Sequence, residues 1–152
     1  IAVIGGGMGS APLLPLVKKL VQGGTVTVFL GASTQENLLN LTRYQELEVE
    51  LKTATEDGSC GYQGLVTDLL PQEAEFDYVY SCGPEPMLKA VQSWARAREI
   101  PGEVSVEERM GCGTGACLSC VCSTESSSGE AEYRKVCTDG PVFSLAEVIF
   151  DE

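Results

Sequence analysis

The 152-residue chain contains no histidine, and its 22 acidic side chains outnumber 10 basic ones, for a formal net charge of −12. Without histidine, the Ser-His and Cys-His catalytic pairs are excluded, as is any His-ligated metal. The scarcity of lysine and arginine speaks against nucleic acid as a partner, because an acidic surface repels a phosphate backbone. The acidic excess itself reads as a solvated surface that keeps the protein soluble. No apolar run approaches the roughly 18 residues of a membrane span, and no charged-then-apolar signal segment opens the chain. Aromatics are few, at 7%, but apolar residues make up 43%. That suits a compact domain with a small appendage.

Seven cysteines are present, an odd number that does not suit a fully paired secreted framework. Cys60 and Cys82 stand alone, whereas Cys112, Cys117, Cys120, Cys122 and Cys137 crowd into the last third. Clustered thiols predict a reducing, cytoplasmic setting and a metal or cluster site rather than a disulfide scaffold. The chain opens directly on Ile1-Ala2-Val3-Ile4, which has the look of a buried strand. A longer protein with an N-terminal portion outside these residues is therefore expected.

Through residue 108 the pattern alternates. Short segments at 1–4, 25–30, 48–51, 77–80 and 103–107, bounded by Gly, Pro or polar residues, read as strands. Leu13, Leu16, Val17, Leu20 and Val21 repeat with helical spacing, with Ser10 as N-cap and Gly23 as stop. Further helices are expected at 35–45, 65–70 and 85–98, the last with Met87, Leu88, Val91 and Ala95 on one face. Strand–helix alternation predicts an α/β fold, a parallel sheet with helices on both faces. From residue 109 the chain becomes rich in glycine and cysteine. Strands at 119–124, 131–137 and 147–150, with a turn at Ser126-Ser127-Ser128-Gly129, predict a small β-rich, loop-rich domain. The expected boundaries are thus 1–108 and 109–152. A unit as small as the second ordinarily needs a metal or a staple to hold it.

Two segments carry a nucleotide signal. Gly5, Gly6, Gly7, Met8 and Gly9 form the first βα turn, where glycine lets the backbone approach a pyrophosphate at a helix N-terminus. A tight turn with no ligand is the plainer reading. The pattern departs from G-x-G-x-x-G, since Ser10 takes the third glycine's place. The acid expected at the end of the second strand is also missing, because Gly31-Ala32-Ser33 stands there. No lysine or arginine lies between Gly24 and Thr42, which favours NAD over NADP. The second segment, Ser81-Cys82-Gly83-Pro84-Glu85-Pro86-Met87, follows the fourth expected strand. Its Gly-Pro turn predicts an exposed Cys82 at the sheet edge, or simply a strand-to-helix turn with proline in the first helical turn. Together the two segments resemble the NAD(P)-binding domain of the ferredoxin reductase family. That resemblance implies that Gly5, Gly6, Gly7, Met8 and Gly9 hold the pyrophosphate, with Cys82, Gly83, Pro84 and Met87 beside the nicotinamide. It also implies a flavin domain earlier in sequence, and nothing in this chain matches one.

Cys112-Gly-Thr-Gly-Ala-Cys117-Leu-Ser-Cys120 is C-x4-C-x2-C, and Cys137 follows after sixteen intervening residues. This is the plant-type [2Fe–2S] spacing. Four thiolates must reach two irons, and Gly111, Gly113 and Gly115 let the loop wrap closely with N–H groups aimed at sulfur. Structural zinc is the alternative, although zinc sites usually show two short cysteine pairs. Cys122 and Cys60 read as bystanders.

With Glu107-Glu108-Arg109-Met110-Gly111-Cys112 and Cys137-Thr138-Asp139-Gly140-Pro141-Val142-Phe143, the chain resembles the electron transfer subunits of NAD-linked (class 1B) dihydroorotate dehydrogenases over its whole length. The small subunits of NADP-linked ferredoxin reductases and sulfide dehydrogenases share the second motif but usually place Asp where Cys112 stands. The resemblance implies a [2Fe–2S] cluster on Cys112, Cys117, Cys120 and Cys137, NAD on the first domain, and FAD mainly on an N-terminal barrel absent from this chain. It implies a partner, an FMN-containing catalytic subunit, in a heterotetramer with two of each subunit. Electrons from dihydroorotate would pass through cluster and FAD to NAD⁺, in pyrimidine biosynthesis. No catalytic side chain is assigned, and these residues alone are expected to be inactive.

Overall fold

The computed structural model describes residues 1–73, 75–126 and 128–150. Its main sheet has seven strands: β1 (Ala2–Gly6), β2 (Thr27–Ala32), β3 (Glu50–Thr55), β4 (Tyr62–Gln63), β5 (Val79–Cys82), β6 (Gly102–Ser105) and β9 (Val142–Ser144). The order is β4-β3-β2-β1-β5-β6-β9, parallel except for β9, which runs antiparallel to β6. β1 is buried at every position, as a central strand covered on both faces must be.

Helices lie on both faces. α1 (Ser10–Leu20) packs Leu13, Leu14 and Val17 against Val3, Val28 and Leu30. On the other face α3 (Glu85–Arg96) packs Leu88, Val91 and Ala95 against Ala2, Ile4 and Phe29. The alternation Ala2, Ile4 on one face and Val3 on the other is the two-residue period of a strand.

The expected helix at 35–45 breaks in two, a 3₁₀ turn (Gln35–Asn37) and the short α2 (Leu41–Gln45). The break falls at Asn40, whose φ of 59° is left-handed, a conformation asparagine tolerates better than most residues. The segment expected at 65–70 is a 3₁₀ turn (Val66–Leu69), with the Leu65 N–H donating to Asp68 Oδ2 at 2.9 Å. Ser10 is the first residue of α1 rather than its cap, since the chain enters through a 3₁₀ turn (Gly7–Gly9).

The last third forms a second, antiparallel sheet of β7 (Val121–Glu125), β8 (Ala131–Lys135) and β10 (Val148–Ile149), in the order β10-β7-β8. Between β8 and β9 lies a single turn of helix, α4 (Val136–Asp139). The expected turn at 126–129 includes Ser127, which lies outside the described residues. This sheet does not stand apart. β9 returns across position 108 to join the main sheet, and Val136, Phe143 and Val148 share a core with α3.

Gln92 ties the two parts together. Its side chain is buried, and Nε2 donates to the carbonyls of Leu145 and Val148, both at 2.7 Å. Gln92→Leu keeps the apolar volume but strands both acceptors. Unsatisfied buried groups carry a penalty of about 1–3 kcal/mol each, so with two stranded the variant is expected to lose roughly 2–6 kcal/mol. Urea unfolding checks this, and an unchanged midpoint would show that the carbonyls find other donors.

Candidate functional site

The glycine turn and the Cys-Gly-Pro turn, 77 residues apart, meet in one place. Both follow neighbouring parallel strands, β1 and β5, at their carboxyl ends. Gly9 sits so close to β5 that a Cβ there would overlap the Cys82 carbonyl and lie 2.7 Å from the Gly83 nitrogen. Gly6 faces Met87 and Pro84, with a hypothetical Cβ 2.6 Å from the Met87 sulfur. Gly7 has a φ of 53° and open space beside it, so its requirement is conformational rather than steric. The Ser10 hydroxyl donates to the Gly7 carbonyl at 2.8 Å, and Tyr44 donates from its buried hydroxyl to the Ser10 carbonyl at 2.6 Å. Burial, with the nearby Cys82 thiol second, pushes the Tyr44 phenol well above its ordinary range and keeps it a donor. The turn is thus fixed from below by side chains no motif announces.

β1 is also where the topology reverses. The chain leaves β1 through α1 to one face and leaves β5 through α3 to the other, which opens a crevice between their carboxyl ends. Two clefts meet there and share Gly6, Gly7 and Pro84. The first, about 460 Å³, runs over the ends of β1, β2 and β3, past Gly31, Ser33 and Glu56 to Met87. The second, about 510 Å³, lies between the glycine turn and the second sheet. Met8 (74% exposed), Gly83, Glu107, Cys122, Tyr133 and Phe150 line it.

Cys82 is not at an exposed edge. It is 1% exposed, on the α1 face of an interior strand, with Gly9 packed over its backbone. Burial raises its pKa, against a lowering hydrogen bond from Ser105, with the Glu107 charge adding to the rise. The thiol is therefore a neutral packing group. Gly83, Pro84 and Met87 face the clefts, as do Glu85 and Pro86 of the same segment.

The cysteine loop has little regular structure, but its sulfurs are grouped. Cys112 and Cys117 are within hydrogen-bonding reach of each other. The Cys137 thiol shares a hydrogen bond with Cys120 and also feels the charge of Cys112. The Thr114 N–H points at the Cys112 sulfur across 3.4 Å, and the Gly115 N–H points at Cys137. Hydrogen bonds from Thr114, then from Cys117, draw the Cys112 thiol down to about 5, so it is a thiolate at neutral pH. Bonding to Cys120 moves Cys137 the other way. Cys112 and Cys117 are exposed, Cys120 is buried in the core, and Cys137 sits half-buried on α4.

Among the described residues, no three of the acidic or thiol side chains gather tightly enough to hold one metal ion. Two thiol pairs with backbone N–H groups aimed at sulfur suit a diiron core, in which each iron takes two thiolates, better than one tetrahedral ion. Cys122 is buried, which raises its thiol, and Cys60 lies beside Thr53 between β3 and β4.

A nucleotide crevice at a topological switch point, joined to a thiol-rich loop, defines a pyridine-nucleotide oxidoreductase domain with a cluster module. The chain belongs to the oxidoreductase NAD-binding domain family, whose model matches residues 3–93. Residues 107–149 match the iron-sulfur cluster binding domain of dihydroorotate dehydrogenase B. Among curated proteins it is similar to the electron transfer subunit of dihydroorotate dehydrogenase B (NAD(+)) from Shouchella clausii, 47% identical over 98% of this chain and 57% of that protein. The Geobacillus sp. subunit of the same name is 46% identical over 97% of this chain and 56% of its own length. The chain thus spans a little over half of these relatives. Among solved structures, that of an NADH-dependent reduced ferredoxin-NADP oxidoreductase superposes with a TM-score of 0.80 at 33% identity, covering 99% of this chain and 54% of the other.

Proposed function

We propose that this chain is the nicotinamide- and cluster-binding part of an electron transfer subunit of an NAD-linked dihydroorotate dehydrogenase. The observation that carries this is the second cleft, walled on one side by Gly7, Met8 and Gly83 and on the other by Val121 and Cys122, which follow Cys120 directly. It sets the glycine turn opposite the strand that leaves the cysteine loop, across a space that would take a flavin ring. A bound [2Fe–2S] cluster supplies one-electron transfer and so links carriers that each handle two electrons.

The residues of this chain bind and orient. Cys112, Cys117, Cys120 and Cys137 would hold the cluster, and the N–H groups of Thr114 and Gly115, directed at sulfur, would tune its potential. Gly6, Gly7 and Gly9 bring backbone and the α1 N-terminus to the pyrophosphate. Gly83, Pro84 and Met87 direct the nicotinamide toward the second cleft. Cys82 acts from beneath, as the surface on which Gly9 rests. The partner is an FMN-bearing catalytic subunit, two of each subunit forming the complex in the cytoplasm, and FAD is held mainly by sequence outside residues 1–152. Among the described residues no helix is long and apolar enough to cross a membrane. The 152 residues alone reduce no NAD⁺ and oxidise no dihydroorotate.

The second reading is a reductase subunit that takes electrons from ferredoxin or a sulfur compound, favoured by the likeness to the ferredoxin-NADP oxidoreductase structure. The cysteine at position 112 and the higher identity to the dihydroorotate subunits favour the first. A zinc-held interaction module is disfavoured by the pairwise sulfurs. Iron and acid-labile sulfide analysis of the purified chain tests the cluster: about two of each per chain, with a paramagnetic signal after reduction, is the expected result. Zinc without colour would overturn it. The full-length subunit with its catalytic partner should then form NADH from dihydroorotate. Turnover with reduced ferredoxin or sulfide instead would move the assignment to the second reading.

A further inference from the structure

Where β2 ends, the residues are Gly31, Ala32 and Ser33, and no acid stands ready to contact a ribose. The neighbouring strand supplies one. The N–H of Glu56 donates to the Ala32 carbonyl at 3.2 Å, and that of Asp57 to the Ser33 carbonyl at 3.2 Å. These bonds carry β3 level with the end of β2 and set Glu56 on the wall of the first cleft, together with Ser33 and Gly7. Its side chain is exposed, and its carboxylate makes no hydrogen bond or ion pair among the described residues. The pairing with β2 uses only backbone, so the carboxylate is left without a structural task. Asp57 is different, because Oδ1 already accepts from the N–H and hydroxyl of Ser59. No lysine or arginine lines this cleft.

We propose that Glu56 reads the adenosine ribose of the dinucleotide and sets the preference for NAD(H) over NADP(H). This rests on the nucleotide reading above. A carboxylate accepts hydrogen bonds from the vicinal 2′- and 3′-hydroxyls, the contact that an acid at the end of the second strand ordinarily makes in dinucleotide folds. A 2′-phosphate in the same place brings negative charge against that carboxylate with no cation nearby to offset it. The acid has moved one strand along the sheet, which is why the sequence around β2 does not show it.

The test is direct binding of NADH and of NADPH to the cluster-loaded chain, followed by nucleotide fluorescence at fixed ionic strength. The wild type is expected to prefer NADH. Glu56→Gln narrows the ratio of the two dissociation constants by about tenfold, mostly through tighter NADPH, and Glu56→Lys moves it further in the same direction. Asp57→Asn leaves the ratio unchanged. A ratio unmoved in both Glu56 variants overturns the proposal while leaving the nucleotide site intact. Failure of the wild type to bind either nucleotide overturns both together.

Discussion

Replacing Cys117 with serine or alanine is expected to bleach the protein, removing its visible absorbance, its labile sulfide and its paramagnetic signal after reduction. The choice of cysteine matters. Cys120 is buried in the same core as Val136 and Phe143, so its loss would mix packing damage with loss of a ligand. Cys117 is exposed and lies near Cys112. Its removal would leave three of the four proposed thiolates, and a diiron core so held would be open to hydrolysis. Cys117 belongs to neither core that packs the α/β sheet, where Ile4, Phe29, Leu30 and Val91 sit, so the circular dichroism should persist. Cys60→Ser and Cys122→Ser are the controls, and both should remain coloured with full iron. Retention of the whole spectrum in Cys117→Ala would remove that residue from the ligand set. Bleaching by Cys122→Ser would instead mean that the four sulfurs are chosen wrongly.

Much of this fold was legible because burial on both faces leaves a strong trace. Ile1 to Ile4 is a continuous apolar run and 25–30 is rich in Val, Phe and Leu, and the structure places β1 and β2 at the sheet centre. The face of α3 repeats Leu88, Val91 and Ala95 because those residues must all meet the sheet. The four-cysteine spacing was equally visible, since reach from a short loop to two irons constrains separation along the chain. What escaped notice has physical reasons too. β4 is two exposed residues and carries no apolar signal. β9 was read as part of a sequence motif because Val142 is exposed and only Phe143 is buried in the strand. Asn40 divides the expected helix through a backbone angle, which composition does not encode strongly. The burial of Cys82 follows from β5 lying between two strands, a long-range fact of topology. Glu56 became visible as a site residue only once β3 was paired in register with β2.

The sharpest test of the nucleotide crevice is Gly9→Ala, because conformation and sterics make opposite demands there. Gly9 has a φ of −61°, an ordinary right-handed helical angle that alanine adopts freely. On backbone grounds alone the substitution should stabilise, by about 0.4–1 kcal/mol through the unfolded chain. Sterically it cannot be accommodated in place. The added Cβ would overlap the Cys82 carbonyl and sit 2.7 Å from the Gly83 nitrogen, backbone atoms at the end of an interior strand that have no rotamer to change. The two turns must separate, and overpacking of this kind typically costs about 1–3 kcal/mol. Because Gly6, Gly7 and Pro84 are common to both clefts, separation also opens the floor on which a pyrophosphate would rest. NADH affinity is expected to fall by about tenfold or more, one decade for each 1.4 kcal/mol of lost contact. Gly7→Ala supplies the contrast. Its φ of 53° makes alanine unfavourable by about 1–2 kcal/mol, yet nothing lies within 4 Å of the new methyl. It should lower the melting temperature while leaving Gly9 seated on β5, with a smaller loss of affinity. If Gly9→Ala melted and bound NADH as the wild type does, the two turns would not be locked together. The crevice would then have to be sought elsewhere along the sheet edge.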